Sequence, residues 1–476
     1  MQVAKLDANQ WANQTALEWY GRALEKIDTL MTSPPTDAAA GKEAATPTEI
    51  LKWQVEALEG QADVQKVIGH ADEAIKGYTQ ALELMATEAP VTRRADLYHK
   101  LATAYHDKGQ FDAAQEALNK GLAVLDGQVC LEAGRLHVYT GLIHFRRGRF
   151  PAGLASCEQG ISIISKTSNI GDLARAYNLQ GLISRHMGES KKALKAYQRC
   201  LALYEQAEYL PGQERAFFNL GSMYKDLGQW NAALDCFEKS KALSERTGEM
   251  RRQAAARNGL GEIYRRQGLL ERAIEVYTEA LRIVEERNFQ EFTGIALMNL
   301  GASYLKEGSL TLANAYLEKS LNLFQRLQAQ VHLPEVLSYL AELKIYSKQA
   351  TEARQLAEKA VALCAGGRME EGPARRSLGQ AYRALGKFQE ATIQLEQSLE
   401  LLERYDNPYE IGLTLVELAL LCQAQALADQ NQDNGARRQQ AMAFLLRAIA
   451  IFEKVGAALE LKRAQEIRRN LWLKNK

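Results

Sequence analysis

Three stretches of the chain, NLGSMYKDLGQWNAALDCFEKS, GLGEIYRRQGLLERAIEVYTEAL and NLGASYLKEGSLTLANAYLEKSL, place apolar, small and polar residues in the same order without gaps. The small residue after the first leucine, or after its substitute, serves as an anchor. It recurs at Ala62, Ala102, Gly141, Gly181, Gly221, Gly261, Gly301, Ala341, Gly379 and Ala419, in steps of 38 to 40 residues. A period of that length marks stacked helical hairpins, each of which buries its apolar face only against its neighbours. The expectation is an all-α solenoid of about ten antiparallel helix pairs.

Further landmarks repeat with the anchor. Tyrosine stands three residues later at Tyr105, Tyr224, Tyr264, Tyr304 and Tyr382, a position expected in the core. Glycine stands seven later, from Gly69 and Gly109 through Gly308 and Gly386, where a first helix must end in a left-handed residue. Twelve later comes a small residue such as Ala114, Ala193 or Ala273. Glycine inside a helix costs about 1 kcal/mol relative to alanine. Its recurrence at the anchor therefore predicts close packing against that small residue of the second helix.

This series resembles the tetratricopeptide repeat over residues 49–456. The period is about six residues longer than the family's usual 34, adding roughly 9 Å of helix per repeat. The longer form is similar to the arrays of LGN/Pins, kinesin light chain and bacterial Rap proteins. The resemblance implies a right-handed superhelix whose first helices line a concave, peptide-holding groove. The family's dicarboxylate clamp transfers poorly: Asn219 and Asn299 resemble its asparagines, but the accompanying lysine positions are not filled together.

The ends depart from the pattern. Residues 1–31 read as a capping helix or degenerate half-repeat in which Ala16, Tyr20 and Ala23 fit a second helix, and 32–48 as a flexible linker. The eighth unit carries Lys348 where glycine is expected, and the tenth a polar insert at 424–440. Residues 457–476 form a basic amphipathic helix that presents Leu459, Ile467, Leu471 and Trp472 as a cap; a membrane or nucleic-acid contact is the alternative.

Composition narrows the function classes. A net charge of +1 gives the whole chain no bias towards nucleic acid or membranes. The six cysteines lie far apart, without zinc or redox spacing. No apolar stretch reads as a signal peptide or a membrane span, so the cytoplasm is the default location. Neither a phosphate loop nor a nucleophile motif stands out, and the paired histidines His99/His106 and His137/His144 lie about 10.5 Å apart along a helix, too far to share an ion. No catalysis, cofactor or metal is expected.

Helical phase singles out one stripe. Offsets −6, −3, +1, +4 and +5 from the anchor fall between about 40° and 140°, opposite the anchor and tyrosine face. In the first two units the stripe carries Glu56, Glu59, Asp63, Asp96 and Asp107 against Lys66. In units three to six it carries Arg135, Arg146, Arg175, Arg185, Arg215, Lys225, Arg265 and Arg266 against Asp226 and Glu262. Phe145, Asn178, His186, Phe218 and Asn258 are interleaved. The next units turn apolar with Ile295, Met298, Leu305, Ile345 and Tyr346. Guanidinium forks suit carboxylates, so the stripe predicts a groove for an acidic peptide with an apolar anchor; a merely solvated charged face is the alternative. Three functions follow: a protein-binding scaffold, adaptor or assembly chaperone; a peptide-sensing regulator that sequesters a signalling or transcription protein; or an RNA binder, for which successive stacking aromatics are missing.

Overall fold

A computed structural model describes residues 13–32, 46–85, 89–364, 369–428 and 434–470. Among these, the chain forms twenty-two helices. The N-terminal ones are α1 (Asn13–Thr32), α2 (Pro47–Val67), α3 (Ala71–Leu84), α4 (Val91–Asp107), α5 (Phe111–Leu125), α6 (Leu131–Arg146), α7 (Phe150–Ile164) and α8 (Ile170–His186). There follow α9 (Ser190–Gln206), α10 (Leu210–Asp226), α11 (Trp230–Thr247), α12 (Met250–Gln267), α13 (Leu270–Glu286), α14 (Gln290–Glu307) and α15 (Leu310–Arg326). The last are α16 (Leu333–Tyr346), α17 (Ala350–Leu363), α18 (Glu371–Ala384), α19 (Phe388–Arg404), α20 (Pro408–Ala428), α21 (Gly435–Val455) and α22 (Ala458–Asn470). From α2 to α21 even-numbered helices are the first helices of the repeats and odd-numbered ones the second, in consecutive antiparallel pairs. The chain divides into two compact units, one ending at Ile183 and the other beginning at Ser184.

Local chemistry explains the punctuation. Every predicted helix-ending glycine has a positive φ, from 71° at Gly148 to 94° at Gly308, a region where a Cβ is penalised. Lys348 adopts the same conformation without glycine's freedom, at φ 61°. A second left-handed position, 27 residues after the anchor, recurs at Glu208, Gly248, Asn288, Gln328 and Asp406 and closes the second helices. It escaped the sequence reading because only one of these is glycine.

The anchor glycines pack differently from the expectation. A Cβ at Gly261 would lie 2.7 Å from the Tyr277 ring, one at Gly221 2.9 Å from Phe237, and one at Gly379 2.6 Å from Leu395. The glycine thus makes room for the large residue sixteen positions later; at Gly141, where a Cβ would meet the Gly153 oxygen at 2.8 Å, small residues face each other. Accordingly Tyr78, Tyr197 and Tyr277, each sixteen residues after an anchor, are fully buried. The tyrosines three after the anchor are only half-buried; Tyr264, for example, lies under the Arg272 guanidinium at 4.3 Å.

The ends also differ in detail. In α1, Ala16, Tyr20 and Ile27 pack on Ile50, Ala57 and Val64 of α2. A reciprocal Thr46–Glu49 capping box starts α2, so helix begins inside the stretch read as a linker; residues 33–45 of that stretch lie outside the described residues. The polar insert is largely helical, since α20 runs to Ala428 and α21 begins at Gly435; its alanines, glutamines and arginines are good helix formers on a solvent-facing side. Residues 429–433, and Leu471 and Trp472 of the cap, lie outside the described residues. Among the described residues one helix, α20, is long and apolar enough to cross a membrane, contrary to the expectation from sequence. Its Tyr409, Ile411, Leu415, Leu418 and Leu421 are nevertheless buried in the core of the second unit.

That core joins residues far apart in sequence. Trp230, Phe237, Leu260 and Ile263 share it with Tyr409, Leu415, Phe452, Val455 and Ala457. The Trp230 and Tyr409 rings meet edge-on at 5.8 Å. Three successive repeat turns receive the C-terminal part of the unit: the Gly188 turn packs on Arg404, the Gly228 turn on Pro408 and Val455, and the Gly268 turn on Leu459. Tyr405 Oη donates to the His186 carbonyl at 3.1 Å. The second unit therefore closes into a ring, with its inner first-helix faces enclosed.

Candidate binding surfaces

Successive first helices lie side by side, so their polar stripes meet across each repeat boundary. In the first unit, Lys100 bridges Glu59 and Asp63, each at 2.7 Å, and Arg93 forks onto Glu59. Lys66 donates to Thr103 at 2.5 Å, and Arg135 reaches Asp172 at 2.7 Å and Asp96 at 3.7 Å. In the second unit, Arg185 pairs with Asp226 at 2.5 Å and Lys225 with Glu262 at 2.8 Å. Arg266 binds Glu262 at 2.8 Å and Glu410 at 3.5 Å, while Arg376 takes the other Glu410 oxygen at 2.7 Å. The stripe is thus a ladder of ion pairs joining neighbouring repeats. The graded acidic-then-basic surface is corrected accordingly: Arg93 and Lys100 answer the acids of the first units, and carboxylates one repeat away answer Arg135, Arg185 and Lys225.

The sixteen predicted groove residues separate by burial. Arg146, Arg175 and Arg215 are exposed. Arg135, Phe145, Asn178, Arg185, His186, Phe218, Lys225 and Ile295 are half-buried. Asn258, Arg265, Arg266, Met298 and Leu305 are buried, which removes them from any presented face. Phe145 packs on Phe150 and Phe218 on Phe237, each pair 5.7 Å apart. Asn299 donates to the Asn258 side-chain oxygen at 3.5 Å. Met298 and Leu305 share a core with Leu333, Leu337 and Leu340 of the following first helix. For Asn258, Met298 and Leu305 a first helix packs on its own hairpin partner and on the next first helix, so phase counted from one contact overstates its free face. Arg265 and Arg266 are covered by Tyr339 and Tyr409 across the closed unit.

Inside the ring of the second unit the charges are compensated at short range. Burial opposes ionisation of Glu262, but Lys225, Arg266 and Arg265 outweigh it and hold the carboxyl below the usual range. Burial likewise opposes ionisation of Glu410 and Glu460; Arg376 and Arg266 prevail at the first, Lys306 at the second. Glu460 of α22 accepts an ion pair from Lys306, which also donates to Tyr409 Oη at 2.5 Å. Burial raises the Glu335 and Glu342 carboxyls, the second despite nearby Arg376 and Lys306. Two cavities of about 440 Å³ and about 250 Å³ share Tyr339, Glu342, Arg376 and Glu410 as a common wall. Lys306, Glu342, Arg376 and Arg383 occupy stripe offsets and were legible in the sequence; Tyr339, Glu410 and Glu460 lie off the stripe and enter only through ring closure.

The histidine and thiol candidates lie in packed surroundings. His99 meets the Tyr139 ring edge-on at 5.0 Å, and burial pushes its pKa down to about 4. Burial pushes the Cys157 and Cys200 thiols up to about 12. Among the described residues, no three metal-ligating side chains cluster.

Comparison with known proteins agrees with the architecture. Tetratricopeptide repeat profiles match residues 99–163, 174–206, 213–286 and 332–404. Curated proteins give no match. Among solved structures, a Rap protein complexed with Competence and Sporulation Factor superposes with a TM-score of 0.52 at 15% identity, over 74% of this chain and 98% of that one. The apo quorum sensor NprR from B. thuringiensis gives 0.51 at 15% identity, over 73% and 98%. Aspartyl phosphate phosphatase F from Bacillus subtilis gives 0.50 at 11% identity, over 76% and 96%. At such identities the likeness is one of fold. With repeat matches over half its length and consecutive antiparallel hairpins throughout, the chain belongs to the tetratricopeptide repeat family.

Proposed function

We propose that this protein is a non-catalytic interaction scaffold, an adaptor or assembly chaperone, whose first unit takes an acidic segment of a partner protein. The supporting observation is the charge that the inter-repeat ladder leaves over. Arg146 is exposed and joins no ion pair among the described residues. Arg175 keeps 66% of its side chain accessible while touching Asp172 at 3.0 Å. Both guanidiniums retain donors for an incoming carboxylate. The apolar anchor is not placed at Ile295, Met298 and Leu305, because the last two are buried. The unbridged cysteines, all buried except half-buried Cys130, suit a reducing compartment such as the cytoplasm.

The test is affinity capture with the double variant Arg146→Glu/Arg175→Glu. Reversing both charges weakens capture of an acidic partner by roughly tenfold or more, with an unchanged melting temperature. Undiminished capture by the folded variant refutes the assignment. A second reading, a regulator that sequesters a signalling or transcription protein, draws on the enclosed second unit and on the sensor proteins among the fold's neighbours. It predicts partner release when a small effector is added, whereas a scaffold holds its partner regardless.

A further inference from the structure

A cavity of the second unit lies between α16, α18, α20 and α22 and measures about 440 Å³, within the range that holds small organic ligands. Most cations in its wall are matched. Lys306 pairs with Glu460, Arg376 with Glu410 at 2.7 Å, Arg383 with Glu417 at 2.9 Å, and Arg463 lies 3.8 Å from Glu460. Arg265 is the exception. It is 5% exposed, yet its Nε has no hydrogen-bond partner. Its Nη2 donates to a neutral phenol, Tyr339 Oη, at 3.2 Å, and among the described residues no carboxylate lies within ion-pair distance of it. Burial opposes its charge, but the Tyr339 and Tyr277 phenols and Glu262 hold it ionised; a cavity-lining guanidinium with no carboxylate at ion-pair distance suits a planar carboxylate.

We propose that this cavity binds a small organic monocarboxylate with an apolar body, its carboxylate seated on Arg265. The lining also supplies the apolar complement, with Leu413, Val416, Leu420, Ala464 and Ile467. Glu342 also lines the cavity, and burial raises its carboxyl, so its protonated form can donate to the bound anion. The ionised acids Glu410 and Glu460 repel a second negative charge, which selects a monoanion over a phosphate or a dicarboxylate. The same chemistry is offered by a free aliphatic or aryl-alkyl acid and by the C-terminus of a short apolar peptide.

The experiment uses the full chain, with calorimetric titration and thermal shift. One ligand series is hexanoate, octanoate and 3-phenylpropanoate; the other is N-acetylated di- and tripeptides ending in leucine or phenylalanine. The corresponding amides serve as controls. Acids of at least one series bind and raise the melting temperature while their amides do not, and the series that binds identifies the source. Arg265→Gln weakens binding by roughly tenfold or more, the loss expected for a charge-assisted pair. Should that variant not fold, Leu420→Trp, which fills the cavity and leaves the charges in place, decides the matter by abolishing binding. The proposal is overturned if neither series binds at millimolar concentration, if amides bind as well as acids, or if binding survives in the folded variants.

Discussion

The backbone conformation at one position separates this array from its own repeat pattern. Lys348 holds φ 61° where other repeats use glycine. A left-handed non-glycine residue costs about 1 kcal/mol or more, so Lys348→Gly is expected to stabilise the second unit by about that amount. Chemical denaturation of the two proteins measures it, and a less stable variant contradicts the account. His99 carries a different kind of information. Its folded pKa of about 4 lies below the ordinary 6.5, so the unfolded chain takes up a proton in between while the folded one does not. Stability is therefore full above pH 6.5 and declines as pH falls towards 4. Melting temperatures across that window are expected to drop more steeply for the native protein than for His99→Gln.

Pairs of helices are coupled by charge as well as by apolar contact. Asp226 of α10 is 2% exposed and holds Arg185 of α8 at 2.5 Å. Removing one partner of a buried pair leaves the other uncompensated. Asp226→Ala is expected to destabilise the second unit by about 3 kcal/mol, whereas the apolar double variant Arg185→Met/Asp226→Leu is close to neutral. Calorimetry of the three proteins checks this; equal losses in the single and double variants contradict a ladder of paired charges. The hairpins themselves were legible from the anchors and turn glycines, because those features depend on contacts within one repeat. The ladder was only half legible. Its cations and several of its acids sit on the polar stripe, yet Arg93 and Asp172 lie outside the offsets counted, and pairing depends on the registration of one repeat against the next.

At the scale of the second unit, closure is the decisive event. Trp230 is 3% exposed and sits where α11 meets α20. Trp230→Ala is expected to cost about 3–5 kcal/mol and to open the ring, seen as faster tryptic cleavage near Arg404. Unchanged proteolysis would show that the closing contacts are dispensable. Sequence alone determined the repeat, its phase, its two helices and the glycines that end the first of each pair, since these follow from short-range periodicity and backbone sterics. Tertiary structure alone decided which stripe residues stay free. Arg146 and Arg265 look alike in the pattern, but one is exposed and the other lies 5% exposed inside a ring. The physical reason is that a small, repeated rotation between hairpins accumulates over many repeats, bringing Glu460 to Lys306 across 154 residues. No local pattern encodes that meeting.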